Sequence, residues 1–278
     1  MDAGPVVAVI GHFEWVSHTR GEVPVPGQIV HLRDAVEEPA GGGAVAAAQI
    51  ARLGVECRLY TAAGDDASGA AGESLLAGLG IDVRAARREG PHPRALTIVD
   101  ASGERTILVT GAGVSPTMDD PLPWSDLATC DGVYFTGDDP RTLVAARAAR
   151  HVVVTARRLA ALIASGVQAD VLVASATDED EVVDLDRLPV PPRAMVLTEG
   201  EHGGRIVVDG VERRYAAVPV PGLVADTYGA GDCFAGALTV GLARGLGLDG
   251  AAALAARCGA RALTWRGGLG PVAEAPAE

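Results

Sequence analysis

The order of its apolar segments is what most limits how this chain can fold. Short β-branched runs alternate with longer Ala-, Leu- and Arg-rich stretches along the sequence. Val6 to Ile10, Arg58 to Ala62, Gly132 to Phe135, His151 to Thr155, Val171 to Ala174 and Ala194 to Leu197 read as buried strands. Val45 to Leu53, Gly69 to Leu79, Arg141 to Arg150, Cys233 to Arg244 and Gly250 to Thr264 read as helices, the first two stopped by Gly54 and Gly80. Apolar strands separated by helices predict an α/β fold, with a mostly parallel sheet covered by helices on both faces. Two stretches, 14–38 and 82–110, break the rhythm. They carry alternating runs such as Ala95 to Val99 and Arg105 to Val109, separated by the turn-forming Asp100-Ala101-Ser102-Gly103-Glu104. A small antiparallel sheet outside the main one is predicted from them; edge strands of the main sheet are the alternative. The tail Pro271 to Glu278 is predicted to fray.

Composition narrows the chemistry. Of 278 residues, 36 are acidic and 23 basic, a formal net charge of -13 at pH 7. Phosphate backbones are held by clustered Lys and Arg, so nucleic acid is excluded as the main partner. Every basic residue is Arg; the sequence contains no Lys, and no Asn either. P-loop, protein-kinase and Schiff-base chemistries in their usual forms each need a lysine, so all three are excluded. The four cysteines, Cys57, Cys130, Cys233 and Cys258, form no C-x-x-C pair, and the six histidines no H-E-x-x-H. No metal-ligating set is expected. Cys57, Cys130 and Cys258 sit beside apolar residues and read as core side chains in a reducing compartment. The N-terminal residues lack the pattern of a secretory signal, and no apolar run reaches about 18 residues. A cytoplasmic protein with no membrane contact is expected.

The strongest local signal is Asp226-Thr227-Tyr228-Gly229-Ala230-Gly231-Asp232, running directly into Cys233-Phe234-Ala235-Gly236-Ala237-Leu238. A Gly-x-Gly turn feeding a helix exposes several backbone N–H groups, and these together with the helix dipole favour an anion. Glycine is needed where a Cβ would block a phosphate oxygen. Asp232 has two readings: an N-cap of the helix, or a base aimed at whatever the anion site holds. Spacing alone does not choose between them. A literal G-x-G-x-x-G, Gly245 to Gly250, follows a helix rather than a strand, and reads as a helix–helix turn instead of a dinucleotide fingerprint. His12 reads as a structural hydrogen-bonding residue or a substrate contact, and Trp15 as a stacking platform or a packing residue.

The Asp226 to Asp232 segment resembles the second signature of the PfkB, or ribokinase-like, sugar and nucleoside kinases. Gly41-Gly42-Gly43-Ala44-Val45-Ala46-Ala47-Ala48-Gln49-Ile50-Ala51-Arg52-Leu53-Gly54 resembles the first, with Pro24-Val25-Pro26-Gly27 ahead of it as in that family. The resemblance covers essentially the whole chain. It implies a single ribokinase-like α/β domain over 1–278, with a β-sheet lid from about 14–38 and 82–110. It implies an ATP-dependent kinase acting on a hydroxyl of a sugar, sugar derivative or nucleoside, with Mg2+ bridging the ATP phosphates largely through waters. Asp232 then matches the general base, and Gly229, Ala230 and Gly231 the anion hole. Gly42 and Gly43 match glycines that approach the acceptor's hydroxyls; His12 and Glu14 are further acceptor contacts, and Arg105 meets the transferred phosphate. Thr198-Glu199-Gly200-Glu201-His202-Gly203 resembles the segment bordering the nucleotide, which places Thr198, Gly200, Gly203 and Thr227 on the nucleotide side. Some relatives hold potassium on the backbone near Asp226. Lid strand edges need covering, which implies a homodimer through the lid.

Three departures from the family pattern matter. Val45 stands where members commonly have an Asn that binds an acceptor hydroxyl. Val16 stands where an Asp grips the sugar, with Glu14 two residues earlier as the substitute. The Asn-x-x-Glu motif that organises metal and phosphates appears as Ser175-Ala176-Thr177-Asp178, a hydroxyl for an amide and a shorter carboxylate. These changes displace the usual ribose, fructose and adenosine acceptors and leave the base and anion hole intact. They also keep open a rival reading, a catalytically weak or inactive metabolite- or nucleotide-binding protein of the same fold. A dinucleotide-dependent oxidoreductase is the more distant rival, and nicotinamide binding is its test.

Overall fold

The computed structural model describes residues 4–101, 105–185 and 188–270. The turn residues 102–104 and the tail 271–278 lie outside the described residues. From the N-terminus the elements are β1 (Val6–Ile10), β2 (Glu14–Arg20), β3 (Arg33–Ala40), α1 (Gly42–Arg52), β4 (Glu56–Gly64), α2 (Ala67–Gly78) and β5 (Ile81–Arg88). The chain continues through β6 (Arg94–Val99), β7 (Arg105–Thr110), β8 (Gly132–Phe135), α3 (Pro140–Ala146), β9 (Val152–Thr155) and α4 (Leu159–Ser165). It closes with β10 (Val171–Ser175), β11 (Ala194–Thr198), β12 (Gly204–Val208), β13 (Val211–Tyr215), α5 (Ala230–Ala243) and α6 (Gly247–Ala262).

The apolar runs build one large sheet in the order β13-β12-β11-β10-β9-β8-β1-β4-β5. All pairings from β5 to β11 are parallel, and the central strands β1, β8, β9 and β10 are apolar and covered on both faces. On one face α1, α2, α5 and α6 bury Val7, Val9, Ile50, Leu59, Phe234 and Leu238. On the other, α3, α4 and a 3-10 turn at Trp124–Thr129 cover Ile10, Tyr60, Phe135, Leu143 and Leu172. The sequence reading did not contain the antiparallel edge hairpin β12–β13. Its signal is Asp209-Gly210, whose positive φ values of 50° and 76° suit a two-residue turn.

A second, four-stranded sheet has the order β3-β2-β6-β7. It differs from expectation in two ways. Residues 82–88 are not in it: β5 pairs in parallel with β4 at the edge of the large sheet, where Ile81, Val83 and Ala85 alternate onto the main core. Nor is the small sheet wholly antiparallel. β2 and β6 run parallel, because the chain returns to the large sheet for α1, β4, α2 and β5 between leaving β3 and entering β6. Register places Glu14, Val16, His18, Ala95, Thr97, Ile107 and Arg105 on the same face, the one turned toward the large sheet. Val16 and Ala95 from that face meet Val45, Tyr228 and Trp265 in a separate small core.

Candidate active site

The first turn of α5 is the centre of the site. Gly229 precedes the helix with a left-handed φ of 72°, and a Cβ there would stand 2.8 Å from Val45 Cγ1, so both backbone and space demand glycine. No side chain caps this helix. Asp232, one turn in, is therefore not an N-cap, and the capping reading is withdrawn. A Cβ built on Gly231 meets nothing within 4 Å, so there is open space beside the first turn, whose N–H groups have no partner within the helix. The loop before the helix is rigidly held. Asp226 is buried and accepts the backbone N–H of Tyr228 at 2.9 Å and of Gly267 at 3.2 Å. The Tyr228 hydroxyl accepts the N–H of Gly41 at 3.1 Å, which ties the loop to the start of α1.

Asp232 faces that start of α1. A Cβ on Gly42 would lie 3.1 Å from Asp232 Oδ1 and 3.1 Å from Thr136 Oγ1, so glycine keeps a gap between this carboxylate and the start of α1. Burial raises the Asp232 carboxyl to about 6; the hydrogen bond from Tyr134 and the charges of Arg157 and Arg105 oppose the rise. His12 stands beside Gly41, its Nδ1 buried and without a partner. Burial, reinforced by Arg158, lowers its pKa to about 4, so the ring is neutral. Glu14, on the site-facing side of β2, has its pKa raised by burial. Gly41, beside His12 and the Glu14 backbone, and Gly42, beside Asp232, thus bring these groups to the same end of α1. Two other predicted residues serve packing instead. Gly43 is buried against backbone, where a Cβ would meet His12 O at 2.6 Å; it lets α1 pack on the end of β1. Val45 is fully buried in the small core and packs on Gly229 and Gly268. Trp15 alternates to the opposite face of the small sheet from Glu14.

Arg105, whose charge acts on Asp232, also lines a cleft of about 530 Å³ with Ser175, Thr177, Asp178 and Glu179. Arg105 crosses from the small sheet and donates to the Thr227 carbonyl at 3.0 Å and hydroxyl at 2.6 Å. Ser175 and Thr198 end adjacent strands β10 and β11 on the same rim, followed by the Gly200–His202 turn. Gly203 belongs to the framework, since a Cβ there would strike Tyr215 O at 2.3 Å. Sequence reasoning missed Tyr134, Arg157 and Glu181. The Glu181 carboxylate accepts the Ser175 N–H at 2.7 Å, while Arg157 pairs with Glu181 at 2.8 Å and also with Asp178. The motif register at 175 and 178 hid this, because Glu181 is the fourth residue of an acidic run with nothing to single it out. A larger cavity, about 600 Å³, lies against Met195, Leu197 and Val207 on the face of the sheet away from α5, and Asp232 lines neither cavity. Among the described residues, no three His, Cys, Asp or Glu side chains cluster as a metal site, and no helix is long and apolar enough to cross a membrane.

The family model described as pfkB family carbohydrate kinase matches residues 6–274. No curated protein matches the sequence. Adenosine kinase from Sinorhizobium meliloti superposes with a TM-score of 0.78 at 19% identity, covering 97% of this chain and 96% of that one. Ribokinase from Thermotoga maritima gives 0.76 at 21% identity, with 95% of each chain covered. Phosphofructokinase-2 from Escherichia coli in complex with potassium gives 0.75 at 20% identity, covering 96% of this chain and 95% of that one.

Proposed function

Since the chain belongs to the pfkB family of carbohydrate kinases, and is thereby a carbohydrate or nucleoside kinase, we propose that it moves the γ-phosphoryl group of ATP onto a hydroxyl of a sugar, sugar derivative or nucleoside. One observation carries this reading: a carboxylate in the first turn of α5 that caps nothing, faces Gly42 across a gap, and stands beside open amides. The acceptor oxygen forms a bond to the γ-phosphorus as the bond to the ADP oxygen breaks, and the hydroxyl proton passes to Asp232. The Gly229, Ala230 and Gly231 amides and the helix dipole hold the charge on the transferring group. His12, Glu14 and Gly42 border the acceptor; Arg105 meets the phosphates; Ser175, Asp178, Thr198, Gly200 and Thr227 border the nucleotide.

Magnesium fits as a companion of ATP. Ser175, Asp178 and Glu179 line one cleft with a hydroxyl and two carboxylates, which would hold a hydrated ion through its waters. Bound there, it would neutralise charge on the phosphates. A monovalent cation near Asp226 fits less well: the Ala225 and Thr227 carbonyls already accept N–H groups of Arg20 and Arg105. No step is routed through one. The small sheet serves as a lid, and exposed apolar Leu108, on its outer face, with Ile29 in the loop between β2 and β3, support a homodimer through it.

The test is ADP release with Mg-ATP across sugars, aminosugars, polyols and nucleosides, with Asp232→Asn alongside. Acceptor-dependent ADP release that disappears in the variant supports the kinase. ATP binding without turnover across the whole panel favours the binding-protein reading instead.

A further inference from the structure

Resting on the kinase reading above, we propose that Tyr134 is a positioning residue: its hydroxyl holds Asp232 in the charged, correctly turned form that accepts the acceptor's proton. Tyr134 lies in β8, with its ring in the core between the sheet and α5, and it is 1% exposed. A tyrosine so placed needs a partner for its hydroxyl. The described structure supplies Asp232 Oδ1 at 3.3 Å. The bond is directional for a structural reason. Tyr134 pairs across the sheet with Val153, which puts Thr155, two residues further along β9, on the same face beside its hydroxyl. The Thr155 hydroxyl accepts the Arg157 N–H at 3.4 Å, so its own proton is free to point at the tyrosine oxygen. The tyrosine proton is then left to Asp232. This bond uses one lone pair of the carboxylate and leaves the others for the acceptor hydroxyl.

Burial keeps Tyr134 protonated, its pKa held well above the ordinary tyrosine value, so it donates at every working pH. The other charged or titratable groups around Asp232 are Arg157 after β9, Glu181 after β10, Arg105 from β7, Tyr228 ahead of α5, and Cys233 next to it on α5. Arg157 and Arg105 reach it through space, and Glu181 opposes them. Tyr134 alone among these is hydrogen-bonded to the carboxylate in the described structure. Neither signature of the sequence contains it: in the strand Gly132 to Phe135 it reads as one more buried apolar residue.

The experiment is a pH titration of the Asp232 carboxyl by 13C NMR, its signal identified by loss in Asp232→Asn, in the ligand-free protein. Tyr134→Phe keeps the ring and removes the donor; the midpoint should rise by about one pH unit, as loss of one hydrogen bond to a charged acceptor requires. Replacing Tyr134 with 3-fluorotyrosine makes the donor more acidic with little change of shape, and the midpoint should fall. The acid limb of kcat/KM should move in the same directions, with the plateau at high pH changed much less. An unchanged midpoint in both variants, or shifts of the same sign, overturns the proposal. Because the NMR titration needs no turnover, it stands or fails separately from the kinase reading, which the ADP assay decides.

Discussion

Replacing Gly231 with Ala should separate folding from catalysis. Gly231 is the second residue of α5 and has no positive φ, and a Cβ there meets nothing within 4 Å. Alanine in a helix is favoured over glycine by about 0.5–1 kcal/mol. With unfolding entropy near ~2.1 cal/mol/K per residue over 278 residues, that gain raises the melting temperature by roughly 1–2 °C. The same Cβ tilts toward the helix N-terminus, into the space where the oxygens of the transferring group must approach the amides. Losing that approach should lower kcat by about 10²–10³, the usual effect of removing an anion-hole donor. Gly78→Ala is the control. It ends α2, also meets nothing within 4 Å, and lies far along the chain from the site; it should gain similar stability with unchanged turnover. Calorimetry and ADP release on the two purified variants decide the matter. A Gly231→Ala protein that keeps a third or more of wild-type turnover would refute the anion-hole assignment.

Asp232→Asn should stabilise the protein as well as inactivate it. The folded carboxyl titrates at about 6 against a reference of 3.8, so the folded state binds more protons and the aspartate's contribution to stability falls as pH rises between those values. Urea unfolding should therefore show Asn ahead by up to about 3 kcal/mol at pH 8 and by nothing from this source at pH 3. Gly229→Ala should cost about 1–2 kcal/mol for the left-handed backbone, and a second change, Val45→Ala, should recover only the contact share in the same unfolding assay. Arg157→Ala should leave stability within about 1 kcal/mol, since its pairs are half-exposed, while raising KM for ATP and moving the acid limb of the pH profile upward. An unchanged acid limb would remove Arg157 from the electrostatics of the base.

The central parallel strands were legible because each is a nearly continuous apolar run, as expected of a strand covered on both faces. Strand β5 was not, because Ile-Asp-Val-Arg-Ala alternates like a lid strand although it is an edge strand of the large sheet. Alternation reports one solvated face, and an edge strand of either sheet has one. At the site, the glycines were readable in number but not in role. Gly42, Gly43 and Gly203 look alike in sequence, yet only Gly42 faces the base, while the other two relieve clashes with backbone. Tyr134, Arg157 and Glu181 were invisible for a different reason. Each comes from the end of a different strand, and only the parallel order of β8, β9 and β10 brings those ends together beside α5.

The two valines that the family resemblance singles out, Val16 and Val45, share one environment. Val16 and Val45 are both fully buried and belong to one small core with Ala95, Tyr228 and Trp265. A polar side chain at either place, facing a valine at the other, would leave a buried group without a partner, at about 1–3 kcal/mol. The pair is thus one packing unit that joins the small sheet to α1 and to the loop before α5. Its effect on function follows from position. It encloses both positions in the small core and tightens Gly229 in its left-handed turn, because Val45 lies directly against it. On the kinase proposal, the groups left to meet an acceptor are a neutral His12, a Glu14 made less acidic by burial, and the gap above Gly42. The acceptor is therefore expected to present its polar groups to His12 and Glu14 rather than to the core that holds Val16 and Val45.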